Sequence, residues 1–271
     1  MTGAGALGAR HQRVERIRRL VRRRSVRVSE RAFVLEGAKL LDEALDAGIT
    51  LEAVYVDHAA TGLGSLLERV LAAGGRVHPL QAGVLERIAG TVTPQPVLAV
   101  APWIDVALDE VLGAELVVVC VDVRDPGNAG TVLRSAEAAG AGAVVFCDGS
   151  VDVFNPKTVR ASAGSLFHVP VVASGAPAEV LSRLAGAGLR RLGTVPTGGT
   201  PYDEADLGGR IAVVLGNEAH GLPDEIEGHL DGGLTIPMAG RSESLNVGMA
   251  AAIVCFESLR QRRARAAPAP A

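Results

Sequence analysis

The sequence is poor in the residues that build metal and redox centres. Its 271 residues include three cysteines, six histidines and no C-x-x-C pair. Cys120, Cys147 and Cys255 each stand alone in an apolar run, which excludes a disulfide framework and points to buried, reduced thiols. The histidines show neither H-E-x-x-H nor any paired spacing, so no metal site is expected. No stretch reaches the roughly 18 uncharged apolar residues of a membrane span. The best candidate, Val111 to Val123, is interrupted by Glu115 and Asp122. The N-terminus is arginine-rich with no apolar run behind it, so no signal peptide is expected and the cytoplasm is the expected compartment. Internal repeats are also missing. Lysine is nearly absent (only Lys39 and Lys157), the mark of a genome that favours arginine codons.

What is present reads as globular. Apolar residues make up 48% and the mean hydropathy is +0.27, enough for one large or two medium domains with real cores. The net charge of -3 hides an asymmetry. Residues 1–31 hold ten arginines against Glu15 and Glu30, a net of +8, so the remaining 240 residues carry -11. A basic arm on an acidic body suggests a polyanionic partner, since each phosphate neutralised releases counterions. The plainer reading is a solvated arginine helix.

The apolar pattern alternates between periods of two and about 3.6, the mark of α/β architecture. Residues 32–104 read as a small α/β domain: strands at 33–35, 53–57, 76–78 and 97–101, helices at 36–47, 64–73 and 82–89. Residues 105–113 read as a linker with a bridging helix. Residues 114–265 read as a second domain that opens on the buried-strand run 116–123. Its later strands fall at 143–147, 169–172, 189–195, 211–215 and 234–236, with helices at 131–139, 155–163, 178–185 and 246–265 between and after them. The expectation is a mostly parallel sheet flanked by helices, with ligands at the carboxyl ends of its strands. The Ala-Pro tail, 266–271, is expected to be disordered.

Three turns carry polar residues suited to chemistry. After the first strand of the second domain, Pro126 and Gly127 make a turn, Asn128 can cap the next helix, and Arg134 lies about a turn and a half into it. On local grounds these are a plain cap and a surface ion pair. Gly127-x-x-Gly130 lacks the G-x-G-x-x-G triplet, so a dinucleotide fingerprint fails. Gly216-Asn217-Glu218 with Gly221 follows a second strand, where glycine lets backbone groups approach a ligand and Glu218 can bond a hydroxyl or an arginine. Ile236 to Gly240 leads through Ser244 and Leu245 to Asn246, again placed to cap a helix. Two such turns about twenty residues apart can enclose an adenosine-like ligand. By residue type alone, His168, His220 and Met238 read as packing or loop residues.

These segments resemble a known family. Asp125-Pro-Gly-Asn-Ala-Gly-Thr-Val-Leu-Arg-Ser-Ala136, Val214-Leu-Gly-Asn-Glu-Ala-His-Gly-Leu222 and Ile236-Pro-Met-Ala-Gly240 with Ser244-Leu-Asn-Val247 are similar to the three signature motifs of the SpoU/TrmH RNA 2′-O-ribose methyltransferases of the SPOUT superfamily. The resemblance spans about residues 114–260. More loosely, residues 30–101 resemble the ribosomal-protein-L30e-like substrate domain that many members carry.

That resemblance implies S-adenosylmethionine as methyl donor without a metal, a C-terminal trefoil knot and a homodimer joined through the knotted domain. It places Asn128, Arg134, Glu218, Ser244 and Asn246 at catalytic and substrate positions and Gly216, Ile236 and Leu245 at backbone contacts to the donor. Val195 and Met238 join them as cofactor-binding candidates. The last helix, through Val247, Ala250, Ala251 and Val254, is expected to serve both core and interface. Two departures from the pattern are Ala219 for glycine and Gly248 for serine, the latter expected to loosen the start of that helix. The implied substrate is ribosomal RNA first and transfer RNA second. A non-catalytic RNA-binding or ribosome-assembly protein and a Rossmann methyltransferase acting on a small molecule are the alternatives. Arginine's pKa above about 12 favours Arg134 as a phosphate and hydroxyl anchor, with a role as base left open.

Overall fold

Strand-forming apolar runs and helices alternate along much of this computed structural model, which describes residues 5–89, 94–241 and 243–266. They form two compact units, Met1–Ile104 with Phe154–Phe167, and Asp105–Val153 with His168–Ala271.

The first unit runs α1 (Gln12–Arg22), α2 (Arg24–Glu30), β1 (Ala32–Glu36), α3 (Ala38–Asp46), β2 (Ala53–Asp57), α4 (Gly64–Ala72), β3 (Arg76–Leu80), α5 (Val84–Ile88) and β4 (Val97–Pro102). Its sheet has the order β1-β4-β2-β3, antiparallel except for β2 with β3. The basic segment is not a free arm. Val14, Ile17 and Leu20 recur at helical spacing on α1 and are fully buried in the core shared with β1, β2 and β4. Arg27, only 3% exposed, donates from Nη1 to the Leu20 carbonyl at 2.6 Å and so caps the end of α1. Arg16 bonds Glu30 at 2.6 Å and Glu52 at 2.5 Å.

The second unit starts with α6 (Leu108–Val111), then β5 (Leu116–Cys120), α7 (Pro126–Ala138) and β6 (Ala143–Phe146). After α8 (Pro156–Ala161), which belongs to the first unit, come β7 (Val171–Val172), α9 (Pro177–Gly186), β8 (Arg190–Thr194), β9 (Thr200–Pro201), β10 (Ile211–Leu215), β11 (Gly232–Thr235) and α10 (Val247–Ala266). Seven strands follow the order β7-β6-β5-β10-β8-β11-β9, and each of their pairings is parallel. β5 and β10 have no exposed residue, as expected of strands covered on both faces. Burial of each such valine contributes about 1.5–3 kcal/mol.

Residues 105–113 are part of this unit, not a linker. The Val106 N–H bonds the Val171 carbonyl at 2.9 Å and Val111 is buried in the sheet's core. α7 begins at Pro126, five residues before the expected start, because Asp125 caps it by accepting the Asn128 N–H at 2.9 Å. Asn128 therefore lies inside the first turn with its side chain released from capping. Ala266 closes α10, and the remaining tail, 267–271, lies outside the described residues.

Candidate active site

Parallel strands bring their carboxyl ends to one edge of the sheet, and there the second unit forms a cavity of about 330 Å³. Thr194, Val195 and Pro196 line it after β8, and the loop from Gly216 to Gly221 lines it after β10. Leu234, Ile236 and Met238 add a third wall, and Glu243, Ser244, Leu245, Val247 and Ala250 close it at the entry to α10.

The Gly216 loop is sealed by its own backbone. The Asn217 N–H donates to the Gly221 carbonyl at 2.8 Å and the Gly221 N–H returns the bond at 2.9 Å, with Gly221 at φ 73°. A Cβ on Gly216 would lie 2.4 Å from the Gly221 carbonyl carbon. Loop closure thus demands glycine there, a different reason from the ligand approach that the sequence suggested.

The polar residues of the three turns meet in one relay. Asn246 donates from Nδ2 to Asn128 Oδ1 at 2.7 Å, and Asn128 donates from Nδ2 to Glu218 Oε1 at 2.8 Å. The polarity is set from α10: Asn246 Oδ1 accepts the Gly248 N–H at 2.9 Å as the cap of that helix, which leaves its amide nitrogen for Asn128. Glu218 Oε1 also accepts the Asp125 N–H at 3.4 Å, which places the carboxylate at the positive end of α7. No arginine neutralises it among the described residues.

Sequence comparison decides what this arrangement belongs to. Residues 115–256 match the SpoU rRNA Methylase family. The chain belongs to the SpoU rRNA methylase family. Residues 11–99 match the MRM3-like substrate binding domain. The 23S rRNA (guanosine(2553)-2'-O)-methyltransferase RlmP of Bacillus subtilis is 36% identical over 250 residues, covering 92% of this chain and 96% of that protein. RlmB of Pseudomonas syringae pv. tomato, a 23S rRNA (guanosine-2'-O-)-methyltransferase, is 34% identical and covers 69% of this chain and 74% of its own. Among solved structures, the AdoMet-bound rRNA methyltransferase from Sinorhizobium meliloti has a TM-score of 0.83 at 30% identity, covering 92% of this chain and 95% of that one. The SpoU methyltransferase AviRb from Streptomyces viridochromogenes, in complex with AdoMet, has a TM-score of 0.85 at 27% identity, covering 94% and 99%.

Within this SpoU-family site, Gly216, Ile236, Leu245, Val195 and Met238 all line the cavity, as do Glu218 and Ser244. Asn128 and Asn246 join the relay without lining it. Arg134 stands apart: it is exposed on α7, outside the cavity lining, with no polar partner among the described residues. Ala219 costs nothing in place of the usual glycine, because its φ is not positive. Gly248 does not loosen α10 either. It is buried, its N–H is bonded, and a Cβ would lie 2.7 Å from Thr131 Cγ2 of α7. The sequence reading missed Thr194, Asn217, His220 and Glu243 as neighbours of the cavity. Asn217 and His220 stood inside a quoted motif, where His220 reads by type as a packing or loop residue. Thr194 and Glu243 carried no pattern of their own.

Proposed function

We propose that the chain transfers a methyl group from S-adenosylmethionine to a ribose 2′-hydroxyl of 23S rRNA. The observation that carries this reading is the Asn246–Asn128–Glu218 relay beside the cavity, in a chain of the SpoU family. The cavity fits the donor. Its apolar walls (Val195, Leu234, Ile236, Met238, Leu245) suit an adenine, and the Glu218 and Glu243 carboxylates suit a cationic sulfonium. Gly216, Ile236 and Leu245 would hold it by backbone groups. When bound, the donor supplies a methyl on a leaving group of its own, so its chemistry requires no metal. The residues of the chain have to orient the ribose oxygen and handle its proton. Glu218 Oε1 is taken by Asn128 and Asp125, while Oε2 has no partner among the described residues and is open to accept the ribose hydroxyl's hydrogen bond. Ser244, on the same wall, is a second hydroxyl contact. Arg134 serves as the phosphate anchor, since a guanidinium gives up its proton only with great difficulty.

The first unit takes up the RNA. Its match to a substrate binding domain supports this, as do Arg10, Arg13, Arg22, Arg23 and Arg24, all exposed and without an acidic partner among the described residues. A homodimer is part of the reading. Met249 and Phe256, 59% and 47% exposed, continue through Ile253 as an apolar stripe on α10 that a second copy would cover. Of the residues expected from sequence to serve both core and interface, Val247, Ala251 and Val254 are buried in the unit's own core, and Ala250, half-buried, lines the cavity. The trefoil knot of the family is assigned to the C-terminal part, supported by the non-sequential order β10-β8-β11 and the packing of α10 on α7. A cytoplasmic location agrees with the lack of any membrane-length apolar helix among the described residues.

The test is competition for methyl-labelled donor between unmethylated 23S rRNA and bulk tRNA. Label in the 23S rRNA alone supports the reading, label in tRNA favours the second acceptor, and label in neither overturns transfer. Calorimetry with the donor separates the non-catalytic alternative, which predicts no binding.

A further inference from the structure

Asn217 engages both ends of its side-chain amide, on three residues. Its Oδ1 accepts the N–H groups of Ala219 at 2.9 Å and His220 at 3.2 Å, which shapes its own loop. Its Nδ2 reaches 95 residues back along the sequence to the Asp122 carbonyl at 3.0 Å and to Asp122 Oδ2 at 3.1 Å. Asp122 is one of three non-glycine residues with positive φ among the described residues, at 57°, a left-handed conformation that residues other than glycine adopt rarely, Asp and Asn more readily than most. The backbone bridge between Asn217 and Gly221 already closes the loop. The bonds to Asp122 are therefore surplus to the loop's own closure and need another purpose.

That purpose lies next door on both strands. Asp122 begins the turn that delivers Asp125 and Asn128, and Asn217 is followed by Glu218. Those are the residues that meet across the relay. We infer that Asn217 is a positioning residue, whose amide clamps Asp122 in its left-handed conformation and so sets Glu218 against Asn128. This inference rests on the relay's assigned role in methyl transfer and adds a residue to it. Glu218 lies on an exposed loop, and beyond the Val121–Leu215 bond that ends the β5–β10 ladder, its own bonds to Asn128 and Asp125 would have to hold the two turns together without the clamp.

The experiment is a swap of the two side chains, read as kcat and KM for unmethylated 23S rRNA, with melting temperatures measured so that every variant is assayed folded. Asn217→Asp keeps the acceptor for the loop N–H groups but turns a carboxylate towards Asp122. Its kcat is expected to fall at least thirtyfold, with KM for the RNA within threefold. Adding Asp122→Asn restores a donor–acceptor pair in the opposite sense, at a residue type that tolerates positive φ, and is expected to recover at least tenfold in kcat. An Asn217→Asp enzyme within threefold of the wild-type kcat, or a swapped enzyme no faster than the single variant, overturns the proposal. A wild-type protein that binds no donor by calorimetry would instead sink the site assignment itself.

Discussion

Asn246 and Asn128 lie 118 residues apart in sequence and 2.7 Å apart in space, the first donating to the second. Because Asn246 also caps α10 and Asn128 also donates to Glu218, one string of bonds runs from the start of α10 to the start of α7. A relay of fixed polarity tolerates no change of donor into acceptor.

Asn128→Asp replaces the N–H that faces Glu218 by a carboxylate oxygen and sets two like charges together. Loss of an oriented donor of this kind costs about 10²–10³ in kcat. The expected result is a fall of that size in methyl transfer with donor affinity retained, measured by single-turnover transfer and calorimetry.

Arg134 is exposed and unengaged among the described residues, so its removal should leave the fold and the cavity intact. Arg134→Ala is expected to abolish transfer while donor binding stays near wild type. Normal turnover by this variant would remove Arg134 from the site.

Gly216→Ala drives a Cβ to 2.4 Å from the Gly221 carbonyl carbon, and backbone has to move. Overpacking of this sort costs about 1–3 kcal/mol. The expected outcome is a lower melting temperature with donor affinity weakened at least ~10-fold, the loop being both a structural closure and a wall of the cavity.

Much of this site was legible in sequence because its parts lie at strand ends and helix starts, where residue type and turn chemistry coincide. Asn246 reads as a cap and is one. Asn128 also reads as a cap, and the reading fails because Asp125 with Pro126 starts the helix earlier. That single shift turns Asn128 from a structural residue into a link of the relay. Residues 1–31 misled for another reason: charge counting cannot see that Val14, Ile17 and Leu20 form a buried stripe beneath the arginines. Contacts such as Asn217 with Asp122 cross 95 residues and leave no local pattern.

Gly248 and Thr131 show the same point from the side of packing. A Cβ at Gly248 would meet Thr131 Cγ2 at 2.7 Å and Cβ at 2.8 Å. Gly248→Ser, the residue that the family pattern favours, is expected to destabilise by about 1–3 kcal/mol. Thr131→Gly should relieve that clash, so a double-mutant cycle on urea unfolding is expected to show coupling of about 1 kcal/mol or more.

The arginines of the first unit divide into two groups. Arg16 and Arg27 hold the fold through Glu30, Glu52 and the Leu20 carbonyl, whereas Arg22, Arg23 and Arg24 are exposed and unpaired among the described residues. Replacing the second trio by glutamine should leave the melting temperature unchanged and flatten the salt dependence of RNA binding by about 0.7–0.9 in log–log slope per lost phosphate contact. Arg27→Gln should do the reverse.

Mapping of ribose methylation on 23S rRNA after incubation with donor, comparing the wild-type chain with Asn128→Ala, tests the central claim most directly. The relay predicts a ribose 2′-O-methyl group that appears with the wild-type chain and is missing with the variant. Methylation that persists at full rate in Asn128→Ala, or a methyl group found on a base instead of the ribose oxygen, would contradict it.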